Sequence, residues 1–196
     1  PGNGLILSGN GEEALEDVLA RGCWTPRQTF GVDAVPADSL ALLESGGVYW
    51  DAELIRDDGS RFALAKMGVG GEPLAQVEIE WQMTGRHNVN NAVAAIAAAH
   101  HAGVEVTTAA EALNLFRGVK TRMELRGERR GIRVYDDFAH HPTAIETTLE
   151  GMAAKIHSER GGKPRRLVAV IEPASNTMRA GVHQETLVAA CESADE

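Results

Sequence analysis

The chain has 196 residues, 43% of them hydrophobic and 24% charged, with two cysteines and a formal net charge of −9. That composition belongs to a folded globular protein of one large or two small domains, and it excludes a disordered chain, a collagen and a disulfide scaffold. An acidic chain with no long basic run lacks the charge that drives nucleic-acid binding, and no apolar run reaches the roughly 18 residues of a membrane span, so neither partner is expected.

Cys23 and Cys191 are far apart and form no Cys-x-x-Cys pair, so they read as reduced thiols of a cytoplasmic protein, packed as small apolar residues. The chain opens Pro-Gly-Asn-Gly without methionine and stops just after a helical pattern, which sets the expectation of a piece of a longer protein.

In chain order, residues 5–7 form a short strand-like run, and residues 12–20 form a helix with Ala14, Leu15, Val18 and Leu19 on one face. Glu12 and Glu13 sit in its first turn, where the helix dipole favours negative charge. Strands at 48–50 and 61–64 flank Asp57-Asp58-Gly59-Ser60, a hairpin-turn signal. Residues 76–81 alternate apolar and polar, the pattern of a half-buried strand. An alanine-rich helix is predicted over 88–102, and a second from a Thr108/Glu111 capping box to about 117. The domain boundary is placed at 117–120, giving domains over 1–118 and 119–196.

Beyond it, strands at 123–127 and 132–135 surround a turn, and a helix covers 143–158 with Pro142 ahead of it and a Thr143/Glu146 capping box. The continuous apolar run 167–171 predicts a strand buried on both faces of a parallel sheet, followed by a helix over 181–191. The alternation of strands and helices is that of an α/β protein, whose ligands bind at the carboxyl ends of strands.

Three stretches carry chemistry. In Thr84-Gly85-Arg86-His87-Asn88-Val89-Asn90-Asn91, Asn88 and Asn91 share a helix face, and their carboxamides suit the edge of a purine ring. Asn88 serves equally well as a simple N-cap. Residues 117–133 hold seven basic residues against two acidic ones, a place for phosphates. There Arg122 is the functional candidate, whereas Arg126, Arg129 and Arg130 read as a solvated hairpin. In Tyr135-Asp136-Asp137-Phe138-Ala139-His140-His141-Pro142, two carboxylates end a strand and two histidines precede a helix. Metal binding by His140 and His141 is disfavoured, because adjacent side chains diverge and no third ligand follows. A weaker candidate, Glu172-Pro173-Ala174-Ser175-Asn176-Thr177-Met178-Arg179, is a site for a carboxylate-bearing ligand or only a capped turn.

Gly85-Arg86-His87-Asn88-x-x-Asn91, then Arg122-Met123-Glu124-x-x-Gly127, then Asp137-Phe138-Ala139-His140-His141-Pro142, in this order, resemble the Mur ligases, ATP-dependent amide ligases of bacterial cell-wall synthesis. The resemblance covers about residues 85–179. It implies the latter part of the family's central ATPase domain followed by the start of its Rossmann-like C-terminal domain. No Gly-x-x-x-x-Gly-Lys-Thr/Ser P-loop occurs, and the Mg²⁺ ligands are expected upstream. Residues 135–143, 172–179 and 21–24 favour the branch that joins UDP-N-acetylmuramate to a diaminopimelate-containing tripeptide over the branch that adds L-alanine. Thr121 replaces the first of two arginines common in the family, so the phosphate role passes to Arg122 alone.

The implied roles follow. Asn88 and Asn91 hold the adenine of ATP, with His87 nearby; Arg122 neutralises the γ-phosphate; Asp137 contacts the ribose. His140 lies toward the incoming amine, and His141, Ser175, Asn176 and Arg179 meet the tripeptide. The ATP contacts come from both domains, so closure is expected to assemble the site. The rivals are the L-alanine-adding reaction and a non-catalytic α/β binding module.

Overall fold

The computed structural model describes residues 4–33, 43, 47–159 and 165–196, and these form two compact units. The first comprises residues up to Trp81 together with Arg86–Phe116; the second comprises Gln82–Gly85 and Arg117–Glu196. The assignment of 82–85 to the second unit has no trace in the hydrophobic pattern.

The first unit is a five-stranded sheet in sequential order, β1 (Ile6–Gly9), β2 (Arg27–Val32), β3 (Val48–Leu54), β4 (Arg61–Met67) and β5 (Pro73–Glu80). β1, β2 and β3 run parallel, and β3, β4 and β5 run antiparallel. Helix α1 (Glu13–Ala20) connects β1 to β2. Facing residues fix which side becomes core: Ala52 pairs with Leu64 and Phe62 with Ile79, and all four are fully buried with Trp50. Against this face lie α2 (Arg86–His101), through Val89, Val93, Ile96 and Ala97, and α3 (Val106–Asn114). The hairpin turn forms as its residues demand. Gly59 takes φ of 76°, and the buried Asp58 accepts from the Ser60 N–H at 2.9 Å and from its hydroxyl at 2.6 Å.

The second unit holds a β-hairpin, β6 (Glu124–Arg129) and β7 (Ile132–Asp136), followed by α4 (Pro142–Ser158), α5 (Asn176–Arg179) and α6 (Gln184–Ala189). Ile145, Met178 and Ala190 are its small buried core, with Leu149, Ile171 and Leu187 packed around it.

Several expectations need correction. The capping boxes do not form. α3 starts at Val106 after Glu105 and ends at Asn114; α4 starts with Pro142 at its first turn after His141; neither cap residue makes a side-chain cap bond. Asn88 is no N-cap, since α2 already runs from Arg86. Residues 167–171 form no regular strand and are not buried on both sides: Val170 is 95% exposed and Val168 50%. Only one side of the run is covered, with Ile171 against the core cluster. Its backbone partners are the chain's last residues, where Asp195 N–H donates to Leu167 O and Ala169 N–H to Glu196 O, each at 2.8 Å. α6 is shorter than the predicted helix, and β2, whose mixed polar sequence carries no alternation, was not anticipated.

Candidate functional site

In the first unit, the carboxyl ends of β1 and β2 open into a cleft of about 490 Å³ beside α2. The carboxyl ends of parallel strands are the usual place for ligands in α/β sheets. Arg86, Asn90 and Ala94, one helical turn apart, line the cleft together with Asn91. Gly9, Phe30 and Val32 form its strand side. Asn91, a predicted site residue, is therefore on the cleft. His87 and Asn88, half-buried, are not among its lining residues.

Gly31 is required where it stands, because a Cβ there would collide with the hydroxyl of Tyr49, which also lines the cleft. Burial, and next the charge of Asp51, push the Tyr49 phenol up to about 12, so it stays a neutral donor at physiological pH. The start of α2 is tied to the sheet. The Arg86 guanidinium pairs with Asp33 and donates to Val32 O at 2.9 Å, while Asp33 accepts the Leu54 N–H at 2.9 Å. The amides, the arginine, the phenol and the apolar patches of Phe30, Val32 and Ala94 are a donor and acceptor set that fits a purine nucleotide.

In the second unit, two predicted residues gather on Phe138, which the sequence motifs do not single out. The exposed Arg122 guanidinium lies over the Phe138 ring at 5.8 Å from its centroid. The His140 imidazole rests on the same ring at 5.0 Å between centroids. Phe138 is held by its N–H donating to Thr121 O at 2.8 Å. No carboxylate among the described residues forms an ion pair with Arg122, so its charge is available to an anion. His140 Nδ1 faces Phe138 O at 3.0 Å; a carbonyl only accepts, so Nδ1 is the donor, and no bond to Nε2 is found among the described residues.

Asp137 is half-buried and braces this loop. Its Oδ2 accepts the Met123 N–H at 2.8 Å and its Oδ1 the Ala139 N–H at 2.7 Å. Glu124 likewise takes the Thr121 N–H at 2.9 Å, and that bond, followed by Arg126, holds its carboxyl below the usual range. Thr121 and Met123 both have left-handed φ, 56° and 46°, a conformation such side chains resist and these bonds stabilise.

The remaining predicted residues stand apart from that cluster. His141 caps α4 and meets the His183 ring at 4.5 Å between centroids. Ser175 caps α5, its Oγ accepting the Met178 N–H at 3.3 Å, so the capped-turn reading holds for this side chain. Asn176 and Arg179, on α5, are exposed. Among the described residues no group of three histidine, cysteine or acidic side chains is arranged to hold a metal ion. No helix among them is long and apolar enough to cross a membrane.

A helix-flanked strand crevice in one unit, and an arginine, aromatic and histidine cluster in the other, are the candidate sites of an α/β protein. Residues 121–196 match the family model of the Mur ligase, glutamate ligase domain. The chain belongs to the Mur ligase family. It is 42% identical over 195 residues to the UDP-N-acetylmuramate–L-alanyl-γ-D-glutamyl-meso-2,6-diaminoheptandioate ligase of Haemophilus influenzae, covering 100% of this chain. It is 38% identical over 196 residues to the ligase of the same name from Escherichia coli. The chain spans 38% of the length of each of these relatives. A murein peptide ligase from Psychrobacter arcticus aligns with the whole chain at a TM-score of 0.63 and 44% identity, over 37% of its own length.

Proposed function

We propose that the full-length protein carrying this chain is an ATP-dependent amide ligase of peptidoglycan recycling. It joins UDP-N-acetylmuramate to the tripeptide L-Ala-γ-D-Glu-meso-diaminopimelate. Residues 1–118 are then the latter part of the central ATP-binding domain and residues 119–196 the first part of the C-terminal ligase domain. The observation that carries this reading is similarity across the whole chain to relatives named for that reaction. The reaction belongs to the bacterial cytoplasm.

ATP phosphorylates the lactyl carboxylate, the amine of the tripeptide attacks the acyl phosphate, and phosphate leaves. Phosphoryl transfer needs charge neutralisation and positioning more than covalent help from the protein. The exposed guanidinium of Arg122, which forms no ion pair among the described residues, suits the γ-phosphate. Nε2 of His140, to which no bond is found among the described residues, suits a proton on the incoming ammonium group. Asn91, on the cleft, holds the adenine; Asn88 and His87, on the same helix but outside the cleft lining, are assigned to it by the family resemblance alone, and Asp137 meets the ribose with its remaining lone pairs as acceptors. His141, Ser175, Asn176 and Arg179 are the tripeptide residues; for Ser175 the capping bond leaves the hydroxyl oxygen a second lone pair. Mg²⁺ supplies further neutralisation of the phosphates when bound, with ligands upstream of this chain.

The test is a substrate panel on the purified full-length protein with ATP and UDP-N-acetylmuramate, offering the tripeptide, L-alanine or no amine. Phosphate release and amide product with the tripeptide are expected. Product with L-alanine instead reassigns the branch, and no nucleotide binding in calorimetry makes the protein a non-catalytic module. The present chain by itself is expected to form no amide.

A further inference from the structure

We propose that Phe138 is a positioning residue whose ring sets Arg122 and His140 relative to one another, an inference that rests on the roles proposed above for those two side chains. Packing does not account for the ring. Phe138 is 59% exposed and stands outside the buried core of its unit, which Ile145, Met178 and Ala190 form. A ring that exposed gains little from burial. What it meets instead are the guanidinium of Arg122, with Cζ 5.8 Å from the ring centroid, and the imidazole of His140, at 5.0 Å between centroids and 58° between planes.

The backbone under all three groups is pinned. The Phe138 N–H donates to Thr121 O at 2.8 Å, and Asp137 takes the Ala139 N–H at 2.7 Å just beyond it. Arg122 lies between Thr121 and Met123, whose left-handed φ values are held by bonds from their N–H groups to Glu124 and Asp137. The long arginine side chain still has many rotamers, and a cation resting on an exposed aromatic face is biased toward that place about two- to fivefold. His140 returns to the same residue twice, its Nδ1 donating to Phe138 O at 3.0 Å and its ring resting on the phenyl.

Attack of an amine on an acyl phosphate needs the phosphoryl group and the amine in one geometry, and misplacement by about 1 Å costs up to about 10²-fold. Arg122 faces the phosphate and His140 the amine in the proposed reaction. Both rest on one phenyl ring, so the ring fixes the spacing between them. Leucine at this position would keep apolar bulk and lose the aromatic face.

The experiment measures kcat and KM of the full-length protein with ATP, UDP-N-acetylmuramate and the tripeptide. Phe138→Leu is expected to lower kcat roughly tenfold while the KM values for ATP and UDP-N-acetylmuramate stay within about twofold of wild type. Phe138→Tyr, which keeps the aromatic face, should return kcat to within about twofold. In an Arg122→Ala or a His140→Ala background the leucine substitution should cost only about threefold, because one of the two contacts is already gone. Thermal melts accompany each variant, and Phe138→Met replaces the leucine variant if that one fails to fold. Wild-type kcat in the leucine or methionine variant overturns the positioning role while leaving the ligase reading intact. So does an undiminished, roughly tenfold cost in either background, since the ring would then act independently of that side chain. Failure of wild type to form an amide with any amine offered removes the ligase reading, and the role of Phe138 with it.

Discussion

The Asp137 carboxylate accepts the backbone N–H of Met123 at 2.8 Å, joining the end of β7 to the entry of β6 across 14 residues. The same carboxylate takes the Ala139 N–H at 2.7 Å. Met123 has φ of 46°, so the bond holds a backbone shape that a methionine does not adopt unaided. Asp137→Ala is therefore expected to destabilise the chain by about 2–3 kcal/mol, the range for hydrogen bonds to a charged acceptor. Urea unfolding of this chain measures it, and an unchanged midpoint would show that the loop holds itself.

Arg122 offers the opposite case. Its guanidinium lies over Phe138 and makes no ion pair among the described residues, so truncation removes charge with little loss of structure. In the full-length protein Arg122→Ala should cost roughly 10²-fold or more in turnover, as for other pre-organised charge stabilisers. Phosphate release reports the loss, and the melting temperature should move by no more than about a degree or two, a surface-sized effect. Near-normal turnover would take Arg122 out of phosphate neutralisation.

The contrast shows what the sequence carried. Residue types at a strand end, Asp137 and His140 among them, were legible because polar groups crowded one loop. Their anchor was not: Phe138 reads as one more apolar residue until its ring is seen between Arg122 and His140. The helices over 88–102 and 143–158 followed from alanine content and spacing, but their starts did not. The Thr of each predicted capping box falls in the first turn and its Glu in the second, because Glu105 and His141 already occupy the cap positions. The run 167–171 misled because continuous apolarity signals two covered faces, whereas here Val168 and Val170 meet solvent. β2 escaped notice because Thr29 is buried and Gly31 leaves room for Tyr49, choices made by tertiary neighbours.

Asp51, on β3, gives a pH-dependent expectation. Burial, then Glu53 and Asp33, raise its carboxyl above the usual range, and Oδ1 has no partner. The folded state thus holds the Asp51 proton more tightly than the unfolded state does. The resulting stability is fully present below the ordinary carboxylate pKa of about 4 and is lost as pH rises through the raised value. Asp51→Asn should raise the melting temperature at neutral pH by on the order of a degree or two, since the group is only partly buried. The gain should shrink to nothing below about pH 4. A gain that persists in acid would assign the effect to packing.

Gly151 tests a contact that no sequence pattern announces. It lies in the interior of α4, where glycine costs about 0.5–1 kcal/mol relative to alanine, so helix propensity alone favours Gly151→Ala. A Cβ there, however, would stand 2.9 Å from the Cα of Gly85 and 3.1 Å from its N, both backbone atoms with no side chain to swing aside. Gly85 itself has φ of 92° and cannot easily yield, because a shift must be shared with the buried Thr84 before it. Overpacking of this kind typically costs about 1–3 kcal/mol, so the clash should outweigh the propensity gain. Gly127→Ala is the control: an added Cβ on β6 meets nothing within 4 Å, and its midpoint should stay within about 0.5 kcal/mol of wild type. Urea unfolding of the two variants separates the effects. A stabilised Gly151→Ala would mean that α4 and the 84–85 segment stand further apart than their close approach requires.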